Sequence, residues 1–125
     1  MGYNRDATAH RRRYMAVATE DVIAEMVERI VREVDPERVY LFGSRARGDA
    51  REDSDVDLLV VQREEPGVEL DTYRQEVRLW EALSQFRVAK DILVYPAAEV
   101  ERRRKWLNHV IAHALREGRL LYERP

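Results

Sequence analysis

Three apolar runs, at residues 39–42, 56–61 and 88–95, are too short for stable helices and are bounded by glycine, proline or charge. Each therefore reads as a strand, the last interrupted only by Lys90 and Asp91. Helical periodicity fills the intervals between them. Val22, Ile23, Met26, Val27, Ile30, Val31 and Val34 recur at the three-and-four spacing of an amphipathic helix, entered through Thr19 as N-cap and ended at Asp35-Pro36. Leu70, Tyr73, Val77, Trp80, Leu83 and Phe86 mark a second helix. Tyr73, Trp80 and Phe86 are expected on its core face rather than on a base-stacking surface. Over residues 97–117, Val100, Leu107, Val110, Ile111, Ala114 and Leu115 predict a third helix. Gly118 is its expected C-terminal cap before a short segment at 120–122. The order helix, strand, strand, helix, strand, helix predicts a small α/β domain, a mixed sheet of three to four strands covered by helices.

A chain of 125 residues supports one core. Its 45% apolar and 37% charged residues fit a buried core under a heavily charged surface and exclude wholesale disorder. Residues 1–18, with Arg11, Arg12 and Arg13 in a row, are expected to form a flexible, solvated tail, leaving 19–125 as the domain. No uninterrupted apolar stretch reaches membrane-span length, and the N-terminus lacks the apolar core of a secretory signal, so a soluble, cytoplasmic chain is expected. The absence of cysteine removes disulfides, thiolate zinc sites and a cysteine nucleophile, so a metal would have to sit on oxygen or imidazole. Lysine and arginine number 22 against 24 aspartates and glutamates, so overall charge gives no reason to expect nucleic acid as a partner.

Local motifs carry the chemistry. Gly43-Ser44 closes the first strand where a residue without Cβ permits a sharp turn and close approach to a ligand. A helix starting there would offer its first N–H groups and the Ser44 hydroxyl to a phosphate, although a Gly-Ser pair after a strand is most often only a turn. Asp55 and Asp57 flank Val56 where the second strand begins. Residues two apart on a strand share a face at roughly 6.5 Å, so both carboxylates could reach shared divalent cations; a solvated or arginine-paired strand end is the plainer reading. Asp91, near the start of the third strand, could supply a third carboxylate or simply be a charge facing water.

Gly43-Ser44, ten intervening residues and Asp55-x-Asp57 together resemble the signature of the nucleotidyltransferase superfamily that includes DNA polymerase β. GSRARGDAREDSDVDLLV is especially similar to the minimal nucleotidyltransferase (MNT) subgroup, and the likeness extends through KDILVYPAAEVER to ALREGRLLYE. The resemblance implies a nucleotidyltransferase fold in which Gly43 and Ser44 hold nucleotide phosphates. It also implies that Asp55, Asp57 and Asp91 bind two magnesium ions and carry catalysis. Oxygen ligands suit magnesium, and transfer from ATP calls for in-line attack on the α-phosphate. Arg45 and Arg47 lie in the turn where triphosphate charge would gather; Arg45, next to Ser44, is the stronger candidate for gripping it.

His109 and His113 have the spacing of a zinc pair, but NHVIAH lacks the glutamate of H-E-x-x-H and no third ligand is evident. Arg104 and His109 match the R-x4-H spacing of HEPN-type ribonucleases, a cheap coincidence in an arginine-rich chain whose strands do not fit an all-helical protein. At 125 residues the chain is expected to lack an acceptor-binding domain of its own. The MNT resemblance accordingly implies that a HEPN-family toxin brings the acceptor, a tyrosine hydroxyl, and that this chain is its adenylylating antitoxin. Two other readings stay open: a binding-only antitoxin that blocks its partner sterically, and transfer to a small molecule or nucleic acid at a homo-oligomer interface.

Overall fold

The protein is described by a computed structural model over residues 18–51, 54–106 and 109–125. The proposed tail at 1–17 and the core candidate Leu107 lie outside these described residues. Ala18, assigned to the tail from sequence, is buried within the main core.

Helix α1 (Glu20–Val34) begins as expected, with the Thr19 hydroxyl accepting from Val22 N–H at 3.2 Å. Ile23, Met26, Val27 and Ile30 form its buried stripe. It ends at Asp35, the sole non-glycine with positive φ among the described residues, ahead of Pro36. Strand β1 (Arg38–Phe42) leads through Gly43 into a single helical turn, α2 (Ser44–Arg47). Strand β2 (Val56–Gln62) follows, then α3 (Thr72–Ala82) and β3 (Lys90–Pro96). Helices α4 (Ala97–Arg103) and α5 (Val110–Glu117) precede β4 (Arg119–Glu123).

The sheet order is β3-β2-β1-β4. β1 runs antiparallel to β2 and β4, while β2 and β3 are parallel with α3 as their crossover, so the expected mixed sheet has four strands. Side chains alternate between two cores. Val56, Leu58, Val60, Ile92 and Val94 pack with α1 and α3, whereas Leu59, Val61, Leu93 and Tyr95 pack with α4 and α5.

Two expectations need correction. The helix foreseen over 97–117 is broken after Arg103 and restarts at Val110, where the His109 ring caps the new helix by accepting from Ile111 N–H at 3.1 Å. Gly118 is the C-terminal cap of α5, as expected, in an extended conformation (φ −81°, ψ 166°). Its need for glycine is packing: a Cβ would overlap the Ala114 carbonyl oxygen and stand 2.8 Å from that of Leu41. Tyr73 and Trp80 are 74% and 43% exposed, so neither is a core residue; Phe86 does pack against the core. Lys90 Nζ, at the start of β3, lies 5.6 Å from the Trp80 ring centre while donating to the Phe86 and Val88 carbonyls, which partly covers that half-exposed indole.

Candidate active site

β1 and β2 pair so that Phe42 stands opposite Asp57, and the parallel β2–β3 register sets Asp57 beside Asp91. Alternation puts both carboxylates on the α4–α5 face of the sheet, because Leu59 and Leu93, two residues further along each strand, pack there. Asp55 precedes β2 and is exposed, as is Asp91, while Asp57 is half-buried.

Gly43 shapes this corner. Its φ of +72° lies where L side chains are strained, and a Cβ would collide with Asp57 Oδ2 and stand 3.2 Å from Cγ. The glycine therefore both turns the chain and makes room for the Asp57 carboxylate. Its carbonyl accepts from the N–H groups of Ala46 and Arg47, each at 3.1 Å, which winds α2 and leaves Ser44 at the head of the turn.

Burial pushes the Asp57 carboxyl up to about 6, and the charges of Asp55 and Asp91 add to the effect; Arg47 and Arg45 pull weakly the other way. Among the described residues, no group of three or more histidine, aspartate or glutamate side chains is placed closely enough to hold a metal ion. The donor set nonetheless fits a hard divalent cation. It is oxygen-only, and the repulsion on Asp57 is what a cation between these carboxylates relieves.

Arg45 is engaged otherwise than the sequence suggested. Its Nε and Nη2 donate to the Ser54 carbonyl at 3.1 and 2.7 Å, and its Nη1 to the Ala18 carbonyl at 3.2 Å. The guanidinium thus ties the turn to the segment entering β2 and to the start of α1. Arg47 pairs at the surface with Asp49 and with Glu117 at the end of α5. Neither Ser54 nor Glu117 carried a sequence signal, since only the fold brings them to the turn. His109 and His113 face Arg103 and Arg116 rather than each other's lone pairs, at 3.1 and 3.3 Å.

A family model for the nucleotidyltransferase domain matches residues 23–113. A Methanocaldococcus jannaschii protein named for protein adenylyltransferase activity is 40% identical over 60 residues, 48% of this chain and 56% of the relative, so the match spans about half of each. A Sulfolobus solfataricus crystal structure named for nucleotidyltransferase activity superimposes with TM-score 0.54 and 28% identity, covering 82% of this chain and 78% of that one. A toxin–antitoxin structure with AMP-PNP lies further off, at TM-score 0.48 and 20% identity over 81% and 73% of the two chains. With the family model covering most of the chain, including Gly43, Ser44 and the three aspartates at the starts of β2 and β3, the protein belongs to the nucleotidyltransferase domain family.

Proposed function

We propose that this chain is a protein adenylyltransferase that transfers AMP from ATP to a hydroxyl, a tyrosine of a HEPN-family toxin, and so acts as its antitoxin. The observation that carries the reading is the fit of Gly43 around Asp57, with Asp91 beside it on the neighbouring strand. A glycine whose missing Cβ makes room for a half-buried carboxylate, disfavoured there by burial and by two neighbouring aspartates, is an arrangement that a simple surface turn does not need. The named activity of the Methanocaldococcus jannaschii relative supports protein as the acceptor class.

Ser44, at the head of α2, binds phosphate oxygens through its hydroxyl and the adjoining N–H groups, with Gly43 allowing their close approach. Arg45 holds the turn in shape through Ser54 and Ala18 and lends positive charge to the phosphates. Asp55, Asp57 and Asp91 would hold two magnesium ions, which would lower the pKa of the attacking hydroxyl and neutralise the leaving pyrophosphate. Asp91, at the exposed start of an edge strand, orients the acceptor and takes its proton. The acceptor oxygen bonds to the α-phosphorus as the bond from that phosphorus to the oxygen bridging to the β-phosphate breaks, and pyrophosphate departs.

The test is to incubate the pure chain with labelled ATP, magnesium and the protein encoded beside it. Label is expected on that protein with the wild type and absent with Asp55→Asn, whose exposed side chain leaves folding unaffected. Undiminished labelling by Asp55→Asn at saturating magnesium would contradict the assignment.

A further inference from the structure

The break between α4 and α5 builds a second polar site on the sheet face that carries Asp57 and Asp91. Trp106 projects from the connection and is 55% exposed. The Arg103 guanidinium lies 5.0 Å from the centre of the Trp106 ring, and the His109 ring meets both Trp106 and Tyr95 edge-on, at 5.8 and 6.3 Å. His109 Nδ1 accepts from Ile111 N–H, and its Nε2 lies 3.1 Å from Arg103 Nη1, so the imidazole edge is set against the guanidinium. A planar guanidinium held there offers its fork to a carboxylate.

The surrounding charge favours an anionic ligand. Arg102 and Arg103 share one carboxylate, Glu99, so that trio carries one net positive charge, and the exposed Lys105 adds another. Arg104 is balanced by Glu101. Glu99 binds Arg103 at Nε, 2.6 Å away, which fixes the guanidinium and leaves its Nη1 edge toward His109.

Position along the strand suggests what the ligand belongs to. Asp91, Leu93 and Tyr95 alternate onto one face, and four residues of strand set Tyr95 roughly 13 Å from Asp91. An extended peptide whose hydroxyl lies at Asp91 therefore brings a side chain about four residues away to Trp106 and His109. We propose that the Arg103–Trp106–His109 cluster is a docking site for an acidic segment of the acceptor protein, taking a carboxylate on Arg103 and apolar surface on the indole. The inference rests on the protein-acceptor reading above.

The test uses the full chain labelled for NMR and a short synthetic peptide with one tyrosine and, about four residues on, an Asp-Glu pair. The Trp106 indole N–H should shift on titration, with affinity about tenfold above that for the Asn-Gln peptide. Arg103→Ala should abolish that preference, and Arg103→Lys, which keeps charge but loses the fork, should restore only part of it. ATP-induced shifts at Gly43 and Ser44 should persist in both variants. Equal affinity for the acidic and amide peptides would overturn the proposal, as would a stronger response of Trp106 to a short oligoadenylate. Peptide capture without AMP transfer supports the docking site and tells against protein adenylylation. Transfer to a protein that is unchanged in Arg103→Ala and Trp106→Ala overturns the docking site and leaves adenylylation standing.

Discussion

Gly43 and Asp57 are one unit at the scale of single residues. Gly43→Ala places a Cβ at φ +72° and against the Asp57 carboxylate, so it combines backbone strain with displacement of a ligand. A loss of about 1–3 kcal/mol in stability and of nucleotide turnover is expected, read by thermal melting and transfer assay; an unchanged melting point would show that the turn relaxes freely. Asp57 makes the converse prediction. Its folded carboxyl titrates near 6 against an ordinary 3.8, so protonation stabilises the folded chain fully below pH 3.8, and that stability is lost as pH rises through 6. Asp57→Asn should therefore melt higher than wild type above pH 6 and lose the advantage toward pH 4. Because the carboxylate is half-exposed, solvent screening limits the gain to about 1 kcal/mol. Magnesium should raise the wild-type melting point above pH 6 and do much less for the variant. An Asp57→Asn chain no more stable than wild type at pH 8 would remove the repulsion argument.

Among elements, the strands and α1 were legible because their signals are local: apolar runs closed by glycine or charge, and a stripe that starts at a capping threonine. Asp57 and Asp91 stood out for the same reason, as charges inside otherwise apolar strands, and Asp55 as the charge just before one. What a spacing rule cannot show is which neighbour covers a face. Tyr73 and Trp80 keep helical spacing with buried Leu83 yet remain exposed, and the partners of Arg45 are 9 and 27 residues away in sequence. The gap between α4 and α5 was hidden because Val100 and Val110 both fit one continuous periodicity. Gly118 was legible as the cap of α5 but not as a packing point. Its contacts with Ala114 and Leu41 join α5 to β1 and set the start of β4, so Gly118→Ala should cost about 3 kcal/mol by overpacking. A change below about 0.5 kcal/mol in denaturant unfolding would show that the contact relaxes and that packing does not demand glycine there.

Across the whole molecule, the sheet acts as a ruler. It sets Asp57 beside Asp91 through register, Gly43 against Asp57 through the β1–β2 pair, and the Arg103–Trp106–His109 cluster further along the same face. On the proposed reading, the nucleotide, the reacting hydroxyl and a remote anchor for the acceptor would share one surface, so binding would survive the loss of chemistry because its contacts are spread along that surface. Asp91→Asn separates the two most sharply. The measurement is mass spectrometry of the partner co-purified from cells, alongside growth under the partner's toxicity. The account predicts an AMP-modified partner and protection with wild type, and with Asp91→Asn a bound but unmodified partner and no protection. Full protection by an Asp91→Asn chain whose partner carries no AMP would contradict catalysis as the basis of neutralisation.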